Sequence, residues 1–158
     1  MKISSSNKFD VSLLTVRIFL SIVVAAHGAQ KLFGWFDGYG FEGTMGFFTQ
    51  TIGLPYLFAL MIILAESLGM VALAAGLFSR VISGSLIVIM VGAILTTHGQ
   101  FGFFMNWSGT KGGEGFEFHL LVIAISAVIS LNGAGAYSID HAIAKRFKVI
   151  AFKKTSFV

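Results

Sequence analysis

The chain has 158 residues, of which 56% are hydrophobic and only 11% charged, with 11 Lys and Arg against 7 Asp and Glu. A soluble domain carries about 25% charged residues, and one of this size leaves about a third of its surface exposed, more than so few charges can cover. The balance excludes a disordered or nucleic-acid-binding chain and requires a membrane protein, while the absence of cysteine excludes disulfides, thiolate metal sites and an internal dithiol relay.

Residues 1–10 form a short amino-terminal segment carrying Lys2 and Lys8, followed by a first apolar stretch over residues 11–33. A membrane-spanning helix needs about 20 mostly apolar residues. A signal peptide cleaved near residues 25–29 is the alternative, but Asp10, Arg17 and the polar run His27-Gly28-Ala29-Gln30-Lys31 are foreign to such segments. At about 100° per residue, Arg17, Val24, Gly28 and Lys31 share one face with His27 at its margin, a stripe suited to other helices rather than to lipid.

The second apolar stretch, residues 54–77, opens with the sole proline, Pro55, which a first helical turn tolerates. Glu66 lies eleven residues from its far end, about 16 Å deep, and Arg17 six residues into the first stretch, about 9 Å deep. An arginine side chain covers that difference, so an Arg17–Glu66 ion pair is expected inside the bundle as a structural clasp.

The third and fourth stretches, residues 81–98 and 117–131, are shorter, which places His98 and Glu117 at the interface. Glu117 and His119 are about 200° apart on a helix, so only one can face the interior, and Ser126 and Ser130 continue the His119 side. The connections before the second and fourth stretches hold Trp35, Phe36, Tyr39, Phe41, Phe47 and Phe48, then Phe101, Phe103, Phe104 and Trp107. A headgroup belt of aromatics belongs on both sides of a membrane. Its concentration on one side suggests an aromatic-walled pocket over the outer end, suited to a flat ring such as a quinone or to a lipid tail. His27, Gln30, Lys31, His98, Glu117 and His119 are the candidate binding residues around it.

Eight of the eleven bases lie in the amino-terminal segment (Lys2, Lys8), at Arg80, and in the tail (Lys145, Arg146, Lys148, Lys153, Lys154), against Lys111 alone in the other connections. The positive-inside rule places both termini in the cytoplasm. In the tail, residues 133–158, Ser138 is a plausible N-cap and Asp140 suits the first turn. Ile139, Ile143, Phe147, Ile150 and Ala151 recur at helical spacing, as expected of an interfacial helix on anionic lipid. The predicted fold is therefore all-α: a four-helix transmembrane bundle with a cytoplasmic C-terminal amphipathic helix.

Other chemistries find little support. Glu114-x-x-Glu117-x-His119 lacks the Glu-x-x-His spacing of a di-iron bundle, and no metal site is assigned. Haem b would need His27 and His98 opposed, with no second sign of it.

The segment His27-Gly28-Ala29-Gln30-Lys31-Leu32-Phe33-Gly34, preceded by Arg17, resembles the first-span signature of the DoxX family. The resemblance continues through Gly53-x-Pro55, Ala65-Glu66, Gly76-Leu77-x-x-Arg80, His98, Gly102-Phe103-Phe104, Glu117 and Gly133-x-Gly135-x-x-Ser138-x-Asp140. Ala134 and Ala136 depart from the proline and the basic residue of the last motif. The resemblance implies a four-span bacterial inner-membrane protein linked to thiosulfate:quinone oxidoreductase or to thiol and oxidative-stress defence.

The expected function is that of a small redox subunit binding quinone near the outer leaflet. Lys31, His27 and His98 would bond the carbonyl oxygens, and a histidine or Glu117 would handle protons. A non-enzymatic scaffold or small-solute carrier is the alternative. Membrane lipid, a second redox subunit or soluble enzyme, and another copy of the chain are the partners that fit; nucleic acid is not.

Overall fold

The computed structural model describes residues 5–155, and side chains for residues 7–147. Lys2 and the tail residues Lys148, Ile150, Ala151, Lys153 and Lys154, invoked above for topology and for the amphipathic face, fall outside the described side chains.

Among the described residues the fold is entirely helical. Helix α1 spans Ser5–Phe33, α2 Gly40–Gly46, α3 Tyr56–Glu66, α4 Leu68–Ala75, α5 Ser79–Ala93, α6 Glu117–Asn132 and α7 Ile139–Thr155. A π-helical turn at Phe47–Thr51 extends α2, and another at Ile94–His98, followed by a 3-10 turn, carries α5 on to Phe101.

The expected four spans are met in part. Asn7–Phe33 and Ser79–Phe101 are long and apolar enough to cross a membrane, and the bent pair α3–α4 makes a third if taken as one span. Helix α6 has 16 residues, about 24 Å of rise against a hydrocarbon core of about 30 Å.

The break between α3 and α4 falls at Ser67, where the axis bends by 43°. The Ser67 hydroxyl donates to the Ile63 carbonyl at 2.6 Å, the local bond by which serine bends helices. The core then draws on four helices: Leu20 and Val24 of α1, Met70 and Leu73 of α4, Leu86 and Met90 of α5, and Val122 and Ile129 of α6. A second cluster joins Met45 of α2 to Ala59 and Ile63 of α3. The connection between α1 and α3 thus contains a short packed helix, hidden in the sequence because a seven-residue segment with three glycines carries little helical signal.

One end of the molecule is tied by side chain to backbone bonds. Gly76 closes α4 in the left-handed conformation (φ +74°), and Phe78 adopts it too (φ +51°) before α5 begins. The Asp140 carboxylate accepts from the Phe78 and Ser79 amides at 2.9 and 3.0 Å, satisfying the first donors of α5 and holding the unfavourable Phe78 conformation. Asp10 accepts from the Ala136 amide at 2.9 Å, and the Ser138 hydroxyl accepts from the His141 amide at 3.1 Å as the N-cap of α7.

Candidate ligand-binding site

The polar stripe of α1 faces the protein: Arg17 and Val24 are 1% exposed. A Cβ on Gly28 would collide with the Glu66 carbonyl and the Ser67 Cα, so only glycine lets the α1 backbone lie against the break between α3 and α4. One turn further along α1, Lys31 Nζ forms an ion pair with the Glu66 carboxylate.

The expected Arg17–Glu66 pair is therefore absent. Arg17 instead donates Nε to the Ala74 carbonyl at 3.3 Å, one terminal nitrogen to Ala134 and the other to Tyr137 at 2.7 Å. These acceptors lie at the last turn of α4 and in the loop after α6, where helix C-termini leave carbonyls unpaired. A planar fork of donors suits them better than an ammonium would. The depth estimate failed because Arg17 stands level with the end of α4. Glu66 lies eight residues, about 12 Å, beyond that level.

The histidines converge from three helices. The π-helical turn after α5 delivers His98, and α6 presents His119 rather than Glu117 to the interior. The two rings lie 4.2 Å apart between centroids, His119 contacts Phe118 at 5.7 Å, and Phe118 contacts His27 of α1 at 5.3 Å. His98 Nδ1 lies 2.9 Å from the Glu114 carbonyl, and His27 Nδ1 lies 3.2 Å from Gln30 Oε1. Gln30 in turn donates its amide nitrogen to the Phe36 carbonyl at 3.2 Å.

A cavity of about 910 Å³ joins these groups. Phe47, Phe48, Phe58, Met61 and Ile62 wall one side, and Val88, Ile89 and Ala93 of α5 the other. Lining residues on α5 run from Val81 to His98, about 25 Å along the axis, so the space is long as well as wide. His27, Gln30, Lys31, Glu66, His98 and His119 supply polar groups to it.

Of the candidate residues, Glu117 is the exception. Its carboxylate accepts from the Met105 amide at 2.9 Å and the Trp107 indole at 3.3 Å, closing the loop before α6 instead of lining the cavity. The same loop is fastened by Lys111, which donates to the Phe101 and Phe104 carbonyls at 3.3 and 2.8 Å. The aromatic residues of this loop (Phe101, Phe103, Phe104 and Trp107) do not line the cavity; of the first connection, Tyr39, Phe47 and Phe48 do, while Trp35, Phe36 and Phe41 do not. The sequence reading missed Glu66 and Phe118 as cavity residues. The signal for Glu66 was Gly28, a small residue one turn before Lys31, marking where a neighbouring backbone crosses.

A cavity of this size, apolar along its length and polar at one end, can hold a ring-bearing lipophilic molecule by its ring. A curated relative in Bacillus subtilis (strain 168), named "Putative oxidoreductase CatD", is 28% identical over 140 residues, covering 89% of this chain and 92% of the relative. No solved structure matches the chain. The family model described as DoxX matches residues 12–99, more than half of the chain. The chain belongs to the DoxX family.

Proposed function

We propose that this DoxX protein is the membrane subunit of a redox system and binds a quinone in the cavity between α1, α3, α5 and α6. The observation that carries the reading is the combination of a long apolar space with a polar end built by His27, Gln30, Lys31, His98 and His119. The relative named as an oxidoreductase supports the redox setting. With no cysteine in the chain, electrons reach the carrier from a partner subunit or soluble enzyme rather than through thiols of this chain.

The proposal includes a four-span bundle in a bacterial inner membrane, in which α3–α4 is one bent span and α6 a short one. Both termini lie in the cytoplasm, following the distribution of Lys and Arg. The cavity's polar end then lies toward the outer leaflet.

Lipid extraction and quinone titration of the detergent-purified protein test this reading. A co-purifying quinone, or saturable binding weakened in His98→Ala and Lys31→Ala, supports it. Protein that binds no quinone, in cells whose quinone-linked activity is unchanged by both substitutions, points to a scaffold or solute carrier instead.

A further inference from the structure

The bend at Ser67 gives α3 and α4 different packing partners. Helix α4 sends Met70 and Leu73 into the core against Leu86 and Met90 of α5, whereas the buried residues of α3, Ala59 and Ile63, pack on Met45 of α2. The cavity occupies the space this leaves between α3 and α5. Toward α1 and α6 it is closed by Val24 and His119, both buried. Its other flank is open. Phe58 and Met61 of α3, which line it, are 59% and 57% exposed, and Val81 and Val88 of α5 are 71% and 72% exposed. These four are apolar and belong to helices apolar enough to cross a membrane, so the open flank meets lipid. Gly92 lines the same space, and a Cβ there would meet no atom within 4 Å. Open room therefore stands beside the α5 backbone about 9 Å along the axis from His98.

We infer that the ligand enters this cavity sideways from the bilayer and carries a prenyl tail that lies in the open groove between α3 and α5. The inference rests on the quinone reading above and adds the class of tail and the route. The groove is continuous with the polar end and follows α5 for about 25 Å, most of a hydrocarbon core of about 30 Å and far beyond the reach of a ring alone. Entry through the flank keeps the tail in apolar surroundings throughout. Entry from the aqueous end would expose every methylene to water, and there the loop before α6, which lines the cavity with Met105 and Glu114, is fastened by Glu117 and Lys111. Lipid and groove are equally apolar, so the tail gains no hydrophobic energy on moving between them. The groove sets access and orientation, and the polar end holds the ring.

The test uses the intact protein in nanodiscs and two probes: a tail-less dimethoxy-methyl-benzoquinone, and a ubiquinone with a photoreactive diazirine at the end of its prenyl tail. Wild type should bind both, and illumination should label Phe58, Met61 or Val88. Gly92→Trp fills the groove short of the histidines. It should weaken the tailed probe at least about tenfold, as expected of a ligand forced against an overpacked wall, and shift the ring alone by less than about twofold. Val88→Trp, at an exposed position that tolerates bulk, should act in the same direction. Val91→Trp, on the same helix but outside the lining, should change neither probe. Unchanged binding of the tailed probe in both groove variants, equal loss of both probes, or labels confined to the loops at the outer end overturns the inference while leaving quinone binding intact. Wild-type protein that binds neither probe overturns the quinone reading and this inference together.

Discussion

Lys31 and Glu66 meet one helical turn beyond the point where Gly28 allows α1 to touch the break between α3 and α4. The contact, the break and the ion pair form one unit: the glycine brings the backbones together, and the charges close the gap just above it. Glu66 is 3% exposed, so its charge has little access to water other than through the cavity.

Glu66→Gln is expected to destabilise the protein by about 1–3 kcal/mol, below the 3–5 kcal/mol of a fully buried broken pair because Lys31 remains partly exposed. Combining it with Lys31→Met should cost less than the sum of the two, by an interaction energy of about 1 kcal/mol or more. Arg17→Gln combined with Glu66→Gln should be additive. Thermal unfolding of the three single and two double variants in detergent reads out both cycles, and coupling in the Arg17 cycle alone would reverse the assignment.

Arg17→Met removes three bonds to backbone carbonyls and should lower stability by about 3 kcal/mol or more, since bonds from a charged donor contribute about 1.5–3 kcal/mol each. Arg17→Lys should recover less than half of that, because one ammonium cannot reach carbonyls of α4 and of the loop after α6 in the geometry of a fork. Chemical denaturation in mixed micelles checks the order wild type, Lys, Met.

Gly28→Ala places a methyl group in the Glu66 backbone, so α1 and the α3–α4 break must separate. The expected cost is about 2 kcal/mol or more, with loss of the Lys31–Glu66 contact. Gly84→Ala is the control: its Cβ meets only the Ser130 hydroxyl at 3.9 Å, and the helix should gain up to about 1 kcal/mol. Comparing the two melting temperatures separates a packing requirement from general helix preference.

Glu117→Ala strips the Met105 amide and the Trp107 indole of their acceptor. Hydrogen exchange across residues 102–116 should accelerate, with a stability loss of about 1–3 kcal/mol. Affinity for a cavity ligand should change little. A large loss of affinity with unchanged exchange would return Glu117 to the binding site.

The native chain offers no cysteine background, so single cysteines report sidedness directly. Lys8→Cys and Lys145→Cys should react with a membrane-impermeant maleimide only after the inner membrane is breached. Lys111→Cys should react in intact spheroplasts. Labelling of all three from one side would refute the four-span arrangement.

Much of this organisation was legible from residue chemistry. The inward stripe of α1, the choice forced between Glu117 and His119, and the Ser138 cap follow from periodicity and local hydrogen-bonding rules. What could not be read was relative height. Hydropathy marks where apolar stretches end but not which ends stand level, and Arg17 and Glu66 were paired on that assumption. Ser67 also gave no sign of a bend, because one serine in an apolar run is compatible with an unbroken helix. Its effect depends on the hydroxyl turning back to Ile63. Helix α2 was invisible for the opposite reason: its stability comes from packing Met45 against α3, not from its own propensity.

The Asp140 carboxylate has an implication for how the protein can be handled. Because it holds the Phe78 and Ser79 amides, the beginning of α7 is a component of the α4–α5 turn and not a detachable appendage. Removing the residues from Ser138 onward would uncap α5 and free Phe78 from its left-handed conformation, so such a truncation would damage the bundle itself. A reporter fused after α7 leaves that latch in place. A reporter inserted between Gly133 and Ser138 would also pull away the carbonyls that Arg17 holds, and loss of folded protein there says nothing about what the tail binds.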